Sequence, residues 1–478
     1  MIISVNSVRI MKKILIILTI FFLWSSCATY YQSNINFNEE FEKGELQKAL
    51  STLRAHPSEA AGKKQFLFDV NNGLLLSLIG RYEESNKYFE KAYIFGEDFH
   101  INYLNEVGSY LTNPNFTAYR GEDHEHLMLL YFKALNYLKL GKSEDALVEC
   151  RRLNIRLQQL ADRYRSENKY KRDAFINTLM GIIYDAGKDY NNAFIAYRNA
   201  LEVYQEDFTT LFGVSAPEQL KLDLLRTAKL SGMDSEFERY KTQFGMESYQ
   251  DQPGEGGALV FFWHNGLSPV KAEWGINFFI SRRDNYIVFS NPDLGFNFPF
   301  NMGTYSEKDR NSLSSLDVFR VAFPKYVERP TYFIRSTIAV GGEERPLQLL
   351  EDVSKVAFKC LDERMTLELS KALIRVALKK AEEYQLKKDD RTRTIGAIMG
   401  IINAITEKAD TRNWQTLPHS IYYSRVPLKA GRSQVTFTTI DNQGRSQQHD
   451  FTYEVTNGQT LFHTFSSLES GIPSYGYY

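Results

Sequence analysis

Residues 181–200 read GIIYDAGKDYNNAFIAYRNA, and this stretch decides the fold of the first half of the chain. Apolar residues recur at helical spacing on both sides of Gly187, which predicts two helices joined by a short turn. Gly181 in the first helix and Ala193 in the second are small enough to let the two helices touch closely. The stretch therefore predicts an antiparallel helical hairpin.

Two further stretches, at 73–92 and 134–153, carry the same order of small, aromatic and turn positions. The three units resemble tetratricopeptide repeats (TPRs), helical hairpins of about 34 residues that stack into a solenoid. Weaker hairpins are predicted on either side, at 41–53 and 220–244. Because a single repeat cannot bury its own apolar face, at least three must stack. We therefore expect a TPR-like α-helical repeat domain over 37–250.

A solenoid of this kind has a concave groove formed by the first helix of each pair. The residues at the groove-facing positions are apolar and form the candidate interaction site: Leu67, Val70, Leu74, Tyr131, Leu135, Phe175 and Ile182. Either an apolar segment of a partner protein occupies this groove, or the second half of the chain fills it. An exposed apolar trough is a liability, so we favour filling by the second half.

A Gly-rich break at 251–257 separates the helical half from a different kind of domain at 258–470. Several short segments beyond the break are rich in aromatic and β-branched residues and predict strands: 258–263, 276–281, 286–290 and 332–340. Alternating runs at 435–439 and 451–455 flank a Gly-containing turn and predict a hairpin. We expect an α+β multidomain protein with an antiparallel, β-sandwich-like C-terminal domain of immunoglobulin type.

A helical insertion into this domain is predicted at about 352–408. Its first part carries a wide apolar face that includes Leu369 and Leu373. Residues 394–406 are small and apolar, with Gly396 and Gly400 at the spacing of closely packed membrane helices. A bilayer span needs about 20 residues. Packing against another helix or against the solenoid is therefore favoured over membrane insertion.

The N-terminus resembles a bacterial lipoprotein signal. The basic pair Lys12-Lys13 precedes an apolar run at 14–23, and two serines then lead to Cys27. The resemblance implies removal of residues 1–26, acylation (palmitate) of Cys27 and a tether at 27–36. It places the protein on the outer membrane, lipid-anchored and facing the periplasm. An ordinary cleaved signal peptide followed by a chance cysteine is the alternative.

The composition limits the partners. The chain carries 57 basic and 58 acidic side chains, so its charge gives no reason to expect a nucleic-acid partner. Besides Cys27 there are Cys150 and Cys360, which we expect to be buried free thiols in different domains. We expect envelope proteins and, through the lipid anchor, a membrane as partners, and no small-molecule substrate.

No catalytic motif stands out in the sequence. The richest polar cluster is 122–126, and its acidic residues fit a capped helix start better than a metal site, since His124 and His126 do not share a helix face. Asp410, Arg412 and Trp414 predict a structural corner in which the arginine stacks on the tryptophan and pairs with the aspartate. We therefore expect no catalytic residues, no metal and no cofactor.

Three stretches carry a further resemblance: 119–125, 146–152 and 410–418. They are similar to a little-characterised family of bacterial envelope lipoproteins with TPR-like N-terminal helices. This resemblance covers most of the mature chain and implies no known activity. Some members are encoded near a lipoprotein activator of penicillin-binding proteins, which suggests partners in peptidoglycan assembly.

The function expected from these observations is that of a non-enzymatic, lipid-anchored periplasmic scaffold or adaptor of the cell envelope. Two alternatives stay open. One is a glycan-binding module that uses the aromatic residues at 261–263 and 296–300. The other is a cell-wall hydrolase whose acidic and histidine residues lie between 258 and 330.

Overall fold

The computed structural model describes most of the chain beyond residue 28. The described residues are 29–103, 118–163, 172–249, 256–283, 286–301, 318–363 and 409–471, with the single positions 303, 365 and 373. Cys27, the linker residues 251–255 and most of the predicted insertion lie outside the described residues.

The first half consists of helices that pair as successive antiparallel hairpins. The helices are α1 (Tyr30–Ser33), α2 (Ile35–Glu42), α3 (Leu46–Arg54), α4 (Gln65–Leu78), α5 (Tyr82–Tyr103), α6 (Asp123–Lys139), α7 (Ser143–Arg163), α8 (Ala174–Ala186), α9 (Tyr190–Val203), α10 (Thr209–Phe212), α11 (Glu218–Leu230) and α12 (Asp234–Gln243). The pairs α4/α5, α6/α7 and α8/α9 are the three predicted repeats. The pairs α2/α3 and α11/α12 are the flanking hairpins.

Close contact between paired helices depends on their small residues. A Cβ atom added at Gly73 of α4 would lie 2.6 Å from the Phe89 ring of α5, and one at Gly181 of α8 would overlap the Tyr197 ring of α9. Ala193 is fully buried where α9 meets α8. These contacts explain why the spacing of glycine, alanine and aromatic residues predicts the hairpins.

The predicted tether at 27–36 is too long. Residues 30–33 already form α1, and its first residue donates a backbone hydrogen bond to Thr411 Oγ1 at 3.0 Å. The Tyr31 side chain is buried, and its hydroxyl donates to Glu42 Oε1 at 2.7 Å. The folded body therefore begins by Thr29, because apolar burial and a side-chain cap order this segment.

The second half contains twelve strands within the described residues. They are β1 (Gly257–Asn265), β2 (Val270–Arg283), β3 (Tyr286–Asn291), β4 (Phe296–Asn301), β5 (Val318–Val327), β6 (Phe333–Val340), β7 (Glu343–Pro346), β8 (Gln348–Glu351), β9 (Ser420–Leu428), β10 (Gly431–Asp441), β11 (Ser446–Val455) and β12 (Thr460–Ser467). The predicted C-terminal hairpin is β10/β11, paired antiparallel from Gly431 with Val455 to Ile440 with Ser446.

These strands form three four-stranded sheets, in the orders β12-β1-β9-β8, β11-β10-β6-β7 and β4-β3-β2-β5. All described pairings are antiparallel except that of β1 with β12, which is parallel. The first two sheets share one buried cluster and so form the sandwich. The third sheet, which the sequence did not predict, has its own apolar cluster.

Strand β1 is buried on both of its faces. Leu259, Phe261 and Trp263 point into the sandwich core. Val260 and Phe262 point the other way and join the core of the helical half. Because successive side chains of a strand alternate between faces, the uninterrupted apolar run at 258–263 marks a strand between two layers. This strand joins the two halves into one folded body.

The predicted insertion begins as a helix at 353–363, and positions 365 and 373 are also helical. Val353, Val356 and Cys360 join the core of the helical half. Among the residues that the structure describes, no helix is both long enough and apolar enough to cross a membrane.

Candidate functional site

The concave groove of the repeats is filled by the second half of the chain. The seven groove residues predicted from the sequence are each between 0 and 4% exposed. They lie in one buried cluster together with Val260 and Phe262 of β1 and Ile421 and Tyr423 of β9. The apolar groove is therefore an interdomain core, and an outside partner cannot enter it in this state.

Tyr131 of α6 shows how closely the two halves fit. Its ring packs edge-on against Phe175 of the next repeat, with 4.8 Å between the ring centres. Its hydroxyl is hydrogen-bonded to Nε2 of His264 in β1 over 2.9 Å. Burial lowers the pKa of His264 to about 3, so this imidazole is neutral at physiological pH.

The segment at 409–418 is the second part of the filling. The Trp414 ring packs against Phe89 and Phe132 with centre distances of 6.0 and 6.1 Å. Its backbone N–H donates to Glu125 Oε1 at 2.6 Å. Among the described residues, β1, β9 and this segment therefore cover the groove, and Val353, Val356 and Cys360 at the start of the predicted helical insertion join the same core.

The polar cluster at 122–126 is the capped helix start that the sequence predicted. Glu122 and Glu125 form a reciprocal capping box at the start of α6. The buried Lys271 of β2 pairs with Glu122. Burial raises the pKa of Glu125, and the negative charge of Glu122 raises it further, while Lys271 opposes both. The helix cap thus also joins the two halves through a buried ion pair.

The predicted corner at 410–414 is partly wrong. Arg412 does pair with Asp410, with Nε to Oδ1 at 2.8 Å and Nη2 to Oδ2 at 2.7 Å. The guanidinium, however, lies over the Tyr119 ring at 5.2 Å. Trp414 turns inward instead and packs against Phe89 and Phe132, where the large indole is fully removed from water.

A second buried charge cluster joins β9 to the third repeat and to α11 of the flanking hairpin. Arg425 lies 2.7 Å from Asp185 Oδ2 and 2.9 Å from Asp223 Oδ1, and all three side chains are at most 2% exposed. Arg226 also pairs with both carboxylates. Burial raises the pKa of Asp223 and the two arginines oppose this shift. Two cations and two anions therefore balance inside the interface.

A pocket with a cavity volume of about 190 Å³ remains beside this filling, between the repeats and β12. We call it the seam pocket. Its polar residues include Lys139 of α6 and Thr464 and Ser466 of β12. Ser466 Oγ lies 3.3 Å from Nδ1 of His264, whose other nitrogen meets the Tyr131 hydroxyl. With a pKa near 3, this histidine is a weak base, so the contact gives no support to a hydrolase site.

A larger cavity of about 540 Å³ lies on the opposite side of the repeats, between α5 and α7. We call it the outer cleft. The carboxylates of Glu90 and Glu149 and the cations of Lys133 and Arg152 form an ion network there. Burial alone would raise the pKa of Glu90, but the two cations lower it below its ordinary value. Two carboxylates and two cations therefore balance in charge at the cleft.

The aromatic residues at 261–263 cannot be a glycan platform. Phe261, Phe262 and Trp263 are fully buried, two in the sandwich core and one in the interdomain core. The aromatic residues Phe296, Phe298 and Phe300 are half-buried and pack onto the core of the third sheet. The prediction of a platform at 261–263 is wrong because those side chains point into two cores.

The cysteines and histidines singled out in the sequence have structural roles or are buried. Cys150 and Cys360 are buried, and neither forms a disulfide within the described residues, as expected. His126 binds the Arg120 carbonyl at 2.8 Å, while the His124 ring packs against Tyr326. Within the described ranges, no group of three or more His, Cys, Asp or Glu side chains could hold a metal ion.

The comparisons with known proteins concern the helical half. No protein-family model matches this sequence, and no curated protein is similar to it. A solved tetratricopeptide repeat protein from Parabacteroides merdae is 16% identical over 45% of this chain and 66% of that chain, with a TM-score of 0.28. BtubC from P. vanneervenii is 18% identical over 46% of this chain and 82% of that chain, with a TM-score of 0.30.

A putative kinesin light chain of Podosopora anserina with nearly identical TPR-like repeats is 13% identical over 46% of this chain and 97% of that chain, with a TM-score of 0.30. Similarities this low carry no argument about partners. The hairpins and their small-residue contacts define the first half as a TPR-like helical-repeat domain. It carries a C-terminal domain of largely antiparallel sheets in its groove.

Proposed function

We propose that this protein is a non-enzymatic, lipid-anchored scaffold of the cell envelope that binds partner proteins through the outer face of its repeats. The observation that carries the proposal is the filled groove. Solenoids of this class usually bind partners on their concave surface. Here that surface is occupied by β1, β9 and the segment at 409–418, which leaves the opposite face for partners.

The outer cleft has the chemistry of a protein interface. Val148 lies at the cleft with 41% of its surface exposed, and Ile94 and Ile155 on the same two helices are more than half exposed. Charged side chains such as Lys87 and Asp145 line the cleft together with Val148. Apolar groups inside a polar rim are typical of a protein–protein interface.

The short connection to Cys27 would hold the body close to a membrane. Tyr30 is fixed to Thr411, and it lies three residues after Cys27. Consecutive Cα atoms are about 3.8 Å apart, so an acylated Cys27 would lie within about 11 Å of the folded body. Such a connection would limit how the scaffold is oriented on the membrane and so would favour one face for partners.

Lipid anchoring rests on the sequence resemblance at 11–27 and can be tested directly. Cys27→Ser should abolish palmitate labelling, leave the precursor uncut and release the protein from the outer-membrane fraction. Cys360→Ser is the matched control, because this buried thiol lies inside the folded body and should not affect labelling. A Cys27→Ser variant that still sediments with the outer membrane would contradict the anchor.

Partner binding can be tested with a photo-crosslinking amino acid in intact cells. Placed at Lys87 or Asp145 in the outer cleft, it should give discrete protein adducts that mass spectrometry identifies as envelope proteins. The control position is Glu454, an exposed residue of β11 on the far sheet. Equal adducts at all three positions, or none in the cleft, would show that the outer face is not the partner surface. The family context favours peptidoglycan-assembly proteins as the partners.

A further inference from the structure

The seam pocket combines one cation with hydroxyl groups and apolar walls. Lys139 and Asn136 come from α6, Ser77 from α4, and Thr464 and Ser466 from β12. The rest of the lining is mostly apolar and includes Leu46, Phe132 and Leu468. None of the residues that line the pocket is an aspartate or a glutamate.

Lys139 has no counter-ion within the described part of the chain. Its ammonium group donates to the Phe462 carbonyl oxygen at 2.6 Å and makes no ion pair there. Burial lowers its pKa to about 8. Burial and the positive charge of Lys139 also lower the pKa of His264 to about 3 and that of His463 to about 4. The pocket therefore has a positive potential that no neighbouring carboxylate neutralises.

Thr464 supplies a second unused donor. Its Oγ1 atom is buried and has no hydrogen-bond partner among the residues that the structure describes. Thr464 and Ser466 share one face of β12, because side chains of a strand alternate. Phe462, on the same face, packs against the core of the repeats, so this face looks toward α6. A buried hydroxyl without a partner is destabilising unless a ligand or water accepts from it.

We infer that the seam pocket binds a small monocarboxylate with a short apolar body. The carboxylate accepts hydrogen bonds from Lys139 and Thr464, and the apolar side walls cover the body of the ligand. A cavity of about 190 Å³ is smaller than the roughly 300–1,000 Å³ of pockets for drug-sized ligands. One cation matches one negative charge, so a monoanion fits better than a phosphate group. This inference does not depend on the proposed scaffold function.

The direct test is isothermal titration calorimetry on the full-length mature protein with N-acetyl-L-leucine. Binding is expected for this carboxylate, and no binding for N-acetyl-L-leucinamide, which has the same body without the charge. Inorganic phosphate should also fail to bind. Equal binding of the acid and the amide, or no binding of the acid, would overturn the inference.

Two further ligands separate a free acid from the C-terminus of a polypeptide. These are 4-methylpentanoate, which lacks a peptide group, and a pentapeptide that ends in leucine. If both bind, the pocket recognises the carboxylate and its apolar body. If the pentapeptide alone binds, the ligand is narrower than inferred, and the proposal of a free monocarboxylate is overturned in favour of a chain terminus.

Affinity should also depend on pH in one direction. With a pKa of about 8, Lys139 is charged below this pH and loses its proton above it, so affinity should fall up to about tenfold per pH unit above pH 8. The neighbouring His264 and His463 titrate near 3 and 4, and burial raises the pKa of Tyr82 above its ordinary value of 10. None of these three groups changes its charge between pH 7 and 9. A flat profile in that range would contradict the role of Lys139.

Substitutions at Lys139 and Thr464 test whether these two residues donate hydrogen bonds to the ligand. Lys139→Met should weaken binding of N-acetyl-L-leucine at least tenfold, because the carboxylate loses its charged hydrogen-bond donor. Lys43→Met removes an exposed charge from the neighbouring hairpin and should leave the affinity unchanged. Thr464→Val keeps the shape of the side chain and should weaken binding about tenfold with no loss of thermal stability. If Lys139→Met fails to fold, unchanged affinity in Thr464→Val alone overturns the proposal.

Discussion

The concave and outer faces of the repeats are built from the same hairpins, but the concave face is buried and the outer face is open to solvent. On the concave face, seven apolar residues are at most 4% exposed because the second half of the chain covers them. On the outer face, a cleft of about 540 Å³ stays open and Val148 is 41% exposed. The comparison shows that the face a solenoid usually offers to partners can be used for folding instead.

The buried ion pairs also differ between the concave and outer faces. On the concave side they pair across the two halves, as Lys271 does with Glu122 and as Arg425 does with Asp185. On the outer side, Lys133 and Glu149 pair between helices of a single repeat. Cross-half pairs fix how the sheets sit in the groove, since a shifted arrangement would leave charges buried without partners. Pairs within the repeats fix the shape of the cleft without closing it.

Removing the second half of the chain should have the largest effect on the stability of the repeats. Residues 32–250 alone would expose the whole concave face, and each large apolar side chain there loses about 1.5–3 kcal/mol of burial. We expect this fragment to aggregate or to bind a hydrophobic dye, measured by size-exclusion chromatography and dye fluorescence, with the intact mature chain as the control. A soluble, monomeric and dye-negative fragment would show that the groove does not need its filling.

The next largest effect should come from Arg425→Met. This change leaves Asp185 and Asp223 buried with Arg226 as their remaining cation, and breaking a buried ion network in this way costs about 3–5 kcal/mol. Denaturant unfolding measures the loss. The control is Arg239→Met, since Arg239 is exposed and its contacts, with Glu236 and over the Tyr240 ring, stay within its own helix; its effect should stay within about 1 kcal/mol. Similar values for the two variants would mean that the cluster does not hold the halves together.

The sequence predicted the parts of the fold that depend on short-range spacing. Gly181 and Tyr197 lie 16 positions apart in one hairpin, so their contact is visible as a pattern. The alternation around the β10/β11 turn is equally local. The parallel pairing of β1 with β12 joins segments about 200 positions apart, and no local pattern reveals it.

The candidate site was predictable only in its apolar part. The groove residues could be found because apolar side chains at groove positions need a cover. The ion pairs could not, since Lys271 and Arg425 lie in strands whose neighbours across the interface are 149 and more than 200 residues away. The seam pocket could not be predicted for the same reason, because Lys139 and Thr464 come to line one pocket only after the sheets dock on the repeats. The stack of Arg412 on Tyr119 was missed because the nearer Trp414 offered a plausible local partner.

The smallest effect on stability should come from a substitution in the outer cleft, which tests binding separately from folding. Val148→Asp changes an exposed side chain, so its effect on the free energy of unfolding should stay within about 0.5 kcal/mol. A charge at this apolar lining position of the cleft should nevertheless abolish the crosslinked adducts formed from position 87, because a buried unpaired charge disfavours an interface. Leu230→Asp is the matched control, since Leu230 is 52% exposed on α11, outside the cleft. Unchanged adducts in Val148→Asp, or equal losses in both variants, would show that the outer cleft is not the partner site. A loss confined to Val148→Asp would show that the repeats use one face for folding and the other for binding.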